Sequence, residues 1–417
     1  MFRKGVSRKD VFAWANLDFA NSGYTTVVLT AVFNSYFVTT VMQGSIDATF
    51  VWTVILSISY FFVMVSAPII GAYADYKNFH KQFLIISSIA CVISILFLGF
   101  SKEGTIFFTA FFLVISNISY SIHQDISAAY LVSFAEDKSL GRVSGFGWSW
   151  GYLGGLLSLF ICLFWITLLT NYYPNVSINI TVLGTMVITA FIFFVSSFYA
   201  LVNLKKLKII DAEPHWERAW TRFILNIKLS ANNKDLFNFF ICIFFYHAGI
   251  AAVITIAAIY AKEVMFFNIK QTIFLIIVVN ITASVGATIF GVLQDKIGHK
   301  LSIRLVLLLW LSMVFLLYFS DSLILFWLAA NIAGLAMGAS QSGARAAIAY
   351  MSPLNKQAEN FGIWGFFVNA AAMVGPPVYG FVTLVTSNNH KIAILTVGVF
   401  FLLALLQLER CKFRKRI

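Results

Sequence analysis

Charge is what this sequence has least of. Only 11% of its 417 residues are Asp, Glu, Lys or Arg, against 60% hydrophobic. A soluble domain cannot hide that much apolar surface from water, so the expected solvent is a lipid bilayer. Cysteine is scarce too: the 4 thiols, Cys91, Cys162, Cys242 and Cys411, are scattered, three of them inside apolar runs. They show neither metal-ligand spacing nor a disulfide framework and read as small core residues. Also missing are a Gly-rich nucleotide loop with its Lys, a metal-spaced His/Cys cluster and a nucleophile elbow. Those absences argue against an ATP-driven pump and against an enzyme, and no cofactor or metal is expected.

Long apolar runs are what fill the chain. Twelve spans of ~20 residues with short loops account for its length. They are expected at 11–40, 48–74, 82–101, 104–132, 143–170, 179–203, 236–261, 271–294, 302–320, 323–349, 360–386 and 391–408. Residues 1–10 are basic, but the apolar run after them is too long for a signal core and reads as the first span. One polar stretch of any length remains, 204–235, in which Trp216, Trp220, Phe223, Ile224 and Ile227 form an apolar face among Lys and Arg. It is expected to be an amphipathic helix at the membrane surface.

The net charge of +12 does not signal nucleic acid, because of where the cations fall. Of the 29 Lys and Arg, 25 lie on the side holding both termini, and only Lys102, Lys262, Lys270 and Lys391 on the other. The positive-inside rule then puts both termini in the cytosol.

The chain repeats itself. Gly71 precedes Asp75 by four residues before a short basic turn, and Gly291 precedes Asp295 in the same way, 220 residues on. Gln124 and Gly145 are echoed by Gln341 and Gly362 at nearly the same offset. Self-similarity at half the chain length predicts an all-α membrane protein with twelve transmembrane helices in two pseudo-symmetric six-helix bundles. The expected units are 1–203, a linker over 204–235, and 236–417.

Few side chains inside the spans carry chemistry. Asp18 lies in the first span and Asp125 in the fourth, each about 10 Å from the cytosolic end at ~1.5 Å rise per residue. A lone carboxylate costs ~2.5–3.5 kcal/mol at a helix centre and should face the interior, a cavity or a partner. Asp18, Asn21, Ser22 and Thr25 share one helical face, as do Asn117, Tyr120, Ser121, Gln124 and Asp125. Both stripes would line a polar path, or else hydrogen-bond helix to helix; His123 is close to the second. His247, in the seventh span, either titrates in the physiological range or packs. Arg345, near the cytosolic end of the tenth, either binds a carboxylate in bidentate fashion or snorkels to the interface. In the fifth span Gly147, Gly151 and Gly155 recur every four residues, which allows close backbone approach. Trp148 beside them packs or stacks on a substrate. The eleventh span supplies Asn369 and a Gly375-Pro376-Pro377 break, which would free backbone carbonyls; Asn280, Ser284, Asn331 and Gln341 add polar groups. On the outer loop, Asn175 and Asn179 form acceptor sequons.

The two Asp-bearing turns resemble the loop signature of the major facilitator superfamily. Within it the chain is similar to the vacuolar amino-acid effluxer branch, also called the unknown major facilitator family. The residues that carry this are Trp14 with Asp18-Phe-Ala-Asn21-Ser22, and Gly141-Arg142-Val-Ser-Gly145-Phe-Gly147-Trp148 with Gly151-Tyr-Leu-Gly-Gly155. Gln341, Arg345, Pro353, Glu359, Phe361-Gly362 and Gly375-Pro376 add to it, so the resemblance runs from about residue 10 to 380. The chain departs from the pattern in four places. Asn78 stands where a Gly is usual, Ala248 replaces an acidic residue before Gly249, no Pro stands near Val132, and Asp125 is not part of the pattern. The resemblance implies alternating access by rocking of two bundles around a midplane site. It also implies a cytosolic latch of Gly71, Asp75, Arg142, Gly291, Asp295 and Glu359, with each Asp near the start of the eleventh or fifth helix. The expected function is secondary transport of amino acids or similar metabolites, with Asp18 and Asp125 taking a proton or a substrate ammonium. A drug, sugar or organic-anion carrier, or a non-transporting sensor, are the alternatives. The expected partners are a small-molecule substrate, protons and lipid, not nucleic acid, and the expected setting is a monomer in a bacterial cytoplasmic membrane.

Overall fold

The computed structural model describes residues 2–45, 47–173, 175–204, 234–267, 269–319, 322–387 and 389–414. Twelve of its helices are long and apolar enough to span a bilayer. The first runs Arg8–Val41 and begins with α1 (Arg8–Tyr24); it is followed by α2 (Ala48–Lys77), α3 (His80–Leu98), α4 (Ile106–Ala129), α5 (Leu140–Tyr172) and α6 (Ile178–Asn203). The second set is α7 (Lys234–Glu263), α8 (Ile269–Ile297), α9 (His299–Phe319), α10 (Leu323–Met351), α11 (Gln357–Val385) and α12 (His390–Glu409). The polar stretch expected to form a surface helix falls almost wholly outside the described residues.

Neighbour relations repeat between the halves. Helix α1 packs on α5 and α6 as α7 packs on α11 and α12; α3 packs on α4 and α6 as α9 packs on α10 and α12. The halves meet through α2 against α11 and α5 against α8, with α4 against α11 and α5 against α10 beside them. Helix α2, at 30 residues, is longer than the ~20 needed to cross the hydrocarbon, so it extends past the bilayer core or tilts within it. Large apolar side chains such as Phe107, Phe160 and Ile324 point outward, as lipid-facing surface requires.

The two Asp-bearing turns share one backbone solution. Gly298 closes the second with φ of 86°, and Asn78 takes the same left-handed region with φ of 56°. Asn is the residue that best tolerates this conformation after Gly, which accounts for its standing where Gly is usual. One local expectation changes. Helix α11 runs through Pro376 and Pro377 without a break; Gly375 lies so close to the Ala248 carbonyl of α7 that a Cβ would not fit. The side chain of Asn179 is engaged, accepting a 2.8 Å hydrogen bond from the Tyr36 hydroxyl. Span 1 continues beyond α1 through two π-helical segments, Thr25–Ala31 and Phe37–Val41. There Thr30 and Asn34 donate to the carbonyls of Thr25 and Leu29, five residues back.

Candidate functional site

Helix α1 starts at Arg8 behind a Ser7–Asp10 capping box, three residues earlier than expected. Asp18 therefore sits about 15 Å along it at ~1.5 Å per residue. Its stripe faces α5, and the glycines of α5 let the two backbones close. A Cβ on Gly147 would strike the Asp18 carboxylate, the Arg345 guanidinium and Trp14; one on Gly151 would meet Ser22 and the Asp18 backbone.

Into that opening comes Arg345 from α10 of the other half. Its Nη1 donates to Oδ1 of Asp18 at 2.9 Å and to Oδ2 at 2.7 Å. Nε donates to the Ser144 hydroxyl at 3.0 Å and Nη2 to the Ser144 carbonyl at 2.8 Å. The guanidinium carbon lies 4.7 Å from the Trp14 ring and 5.4 Å from the Trp148 ring, two cation–π contacts. Arg345 is only 1% exposed and Asp18 5%, so the arginine does not snorkel; it is neutralised inside the protein. Ser144 was not singled out by the sequence, although it precedes Gly147 by one helical turn.

The other expected residues distribute unevenly. The Asn21 side-chain oxygen accepts from His123 Nδ1 at 2.8 Å, joining α1 to α4. Tyr120 lies 5.1 Å from Tyr24, whose hydroxyl pairs with Ser116. Asn117 donates to Ser59 at 2.6 Å. Gln124 and Gln341 are partly buried. Asn369 donates to the Gly365 carbonyl of its own helix, a local bond. His247 is buried beside Tyr246, and among the described residues its Nε2 has no hydrogen-bond partner. Asp125 is buried at the seam between halves, its carboxyl against Gly365.

Where the termini lie, two carboxylates tie the halves together. Asp75 accepts from the backbone N–H of Ala358 at 3.2 Å and Glu359 at 2.8 Å, at the start of α11. Asp295 accepts from the N–H of Gly141 at 2.8 Å and Arg142 at 3.0 Å, at the start of α5. Free N–H groups and the helix dipole make these good carboxylate sites. Arg142 and Glu359 thus contribute backbone donors here. Glycines give the close approach: Gly71 meets the Ala358 carbonyl, Gly362 that of Ala67, Gly291 that of Gly141 and Gly145 that of Ala287. His80, which the sequence reading passed over, backs Asp75 at 2.8 Å.

Known proteins share the sequence pattern and the fold. The family model described as "Vacuole effluxer Atg22 like" matches residues 34–141 and 134–416. An uncharacterized MFS-type transporter, YxiO of Bacillus subtilis (strain 168), is 24% identical over 94% of this chain and 92% of its own. The quinolone resistance protein NorA of Staphylococcus aureus is 27% identical over 41% of this chain and 43% of its own. Among solved structures, the human organic anion transporter MFSD10 (TETRAN) superposes with a TM-score of 0.75 at 14% identity, covering 96% of this chain and 99% of its own. YxiO, of the MFS type, and MFSD10 are transporters, not enzymes. Sharing their twelve-helix fold and matched by that family model over nearly its whole length, the chain belongs to the vacuole effluxer Atg22-like family of major facilitator transporters.

Proposed function

We propose that this transporter moves zwitterionic amino acids by alternating access, with Asp18 and Arg345 as the two ends of the substrate site. The observation that carries the reading is their buried ion pair, one partner from each half. When the halves separate on the terminal side, the pair must break, and each charge then needs a new partner. An α-amino acid brings both: its carboxylate suits Arg345 and its ammonium suits Asp18. An anionic cargo would leave Asp18 unpaired, and a cation would leave Arg345 so. Trp14 and Trp148, through their cation–π contacts, hold Arg345 in place for either partner.

The moving units are 1–203 and 236–417, joined by 204–235, and the Asp75 and Asp295 contacts latch the terminal side in this conformation. The concentration of Lys and Arg on that side supports a cytosolic location for both termini. We place the protein as a monomer in a bacterial cytoplasmic membrane.

The test is counterflow in proteoliposomes with a mixed pool of labelled amino acids. Exchange that is lost in Arg345→Ala and in Asp18→Asn, and is competed by neither amines nor carboxylic acids alone, supports the zwitterion site. Exchange of organic anions or hydrophobic drugs instead would replace it, and binding without any exchange would make the protein a sensor.

A further inference from the structure

Among the described residues, Asp125 is the one carboxyl group deep in the helices that the structure leaves alone. It is 7% exposed, its Oδ2 is sealed from solvent without a partner, and no hydrogen bond or ion pair reaches the carboxyl among the described residues. It does not merely fill space. The three atoms nearest to a Cβ built on Gly365 are all atoms of the Asp125 carboxyl, so the glycine of α11 leaves the room that the carboxyl occupies. Around it, α2 presents Ala67, Ile70 and Gly71, α11 presents Ala358 and Gly362, and α4 itself Ile122 and Ile126. None of these is titratable. On its own helix Tyr120 is within electrostatic reach; Asp75, His80 and Glu359 stand at the terminal end of the same seam, where Asp75 ties α2 to α11.

The internal repeat shows that the fold does not need a carboxyl here. The residue pseudo-equivalent to Asp125, by the Gln124/Gln341 offset, is Ser342, a neutral hydroxyl that donates to the Ala339 carbonyl. One seam therefore carries a satisfied serine and the other an unsatisfied acid.

A negative charge without compensation in so apolar a seam would cost several kcal/mol. The same charge in water costs nothing of the kind. The movement that undoes the Asp75 latch parts α2 from α11, and those two helices cover Asp125. We infer that Asp125 is a proton-binding site that couples proton movement to the terminal gate: it holds a proton while α2 and α11 are closed over it and exchanges that proton with water when they part. The step is a plain proton exchange, one O–H bond made or broken with water as the other party. By linkage, protonation favours the closed terminal side and ionisation the open one, so a proton gradient biases the cycle. The inference rests on the alternating-access reading but not on the amino-acid cargo.

The first test needs no cargo. Wild type and Asp125→Asn, reconstituted in lipid, are compared by infrared spectroscopy at neutral pH for the C=O stretch of a protonated carboxyl. A band present in the wild type and absent from Asp125→Asn is expected, and it should weaken when Asp75→Asn loosens the latch. In transport, gradient-driven accumulation in Asp125→Asn should fall by about tenfold or more while gradient-free exchange persists. Asp125→Ser, which copies Ser342, replaces the variant if the amide does not fold. The same carboxyl band in wild type and variant, or gradient-driven accumulation undiminished in either variant, overturns the inference. If no amino acid exchanges, the cargo reading falls, and the infrared comparison still decides this one.

Discussion

Arg345 and Asp18 are 327 residues apart in sequence, yet one guanidinium nitrogen lies 2.7 Å from one carboxylate oxygen and 2.9 Å from the other. The pair is buried, so its members are worth far more to each other than a surface pair. Removing one partner leaves a buried charge, and Arg345→Ala or Asp18→Asn should cost about 3–5 kcal/mol or a comparable loss of folded protein. The double variant Asp18→Asn/Arg345→Ala should be less destabilised than the two single effects added together. Thermal unfolding of the four proteins in detergent measures this; strict additivity would mean that the two side chains do not interact.

Asp75 accepts two backbone hydrogen bonds at the start of α11. Asp75→Asn keeps one acceptor oxygen but loses the charge, weakening the contact by about 1 kcal/mol. The population should shift toward a state open on the terminal side. Faster alkylation of single cysteines placed in the cavity on that side reports the shift, and Asp295→Asn should act in the same direction. Unchanged labelling rates in both variants would refute the latch.

Gly147 is where α5 makes room for the ion pair. Gly147→Ala should cost about 1–3 kcal/mol through overpacking, and amino-acid exchange should fall with it. Gly380→Ala is the control, because a Cβ there meets nothing within 4 Å. Exchange assays on both variants separate a local collision from a general intolerance of larger residues. Equal effects would remove the special role of Gly147.

Cys411 lies just past α12, outside the spans, buried with Sγ 3.5 Å from the Gln407 carbonyl. Burial pushes its thiol up to about 12. The thiolate is the reactive form, so below that pH the folded protein presents the inert thiol. Maleimide should leave Cys411 unmodified from neutral pH to about pH 10 in the native state and label it after denaturation. Mass spectrometry of the C-terminal peptide gives the readout. Labelling of native protein that rises through the usual thiol range near about pH 8.5 would contradict it.

Much of the fold was legible because the bilayer reduces the problem to length and polarity. All twelve expected span starts fall within about three residues of a helix start, since apolar runs of ~20 residues have one stable outcome in lipid. The Asp-bearing turns were legible for a local reason. A carboxylate four residues after a glycine, followed by a residue that accepts positive φ, encodes the turn by itself, and Asn78 and Gly298 meet that need in different ways.

Periodicity placed Asp18, Asn21 and Asp125 on buried faces, because a helix fixes which side a residue takes. It named no partners. That Arg345 crosses to Asp18, that His80 backs Asp75, and that His123 turns to Asn21 while Asp125 two residues on turns to Gly365, are consequences of how helices pack. Contacts between residues hundreds of positions apart leave no mark in either segment alone. The sequence by itself determined the solvent, the spans and the repeat. Only the tertiary structure decided which buried charge is neutralised by a partner and which stands without one, because compensation depends on distance in space and not on position along the chain.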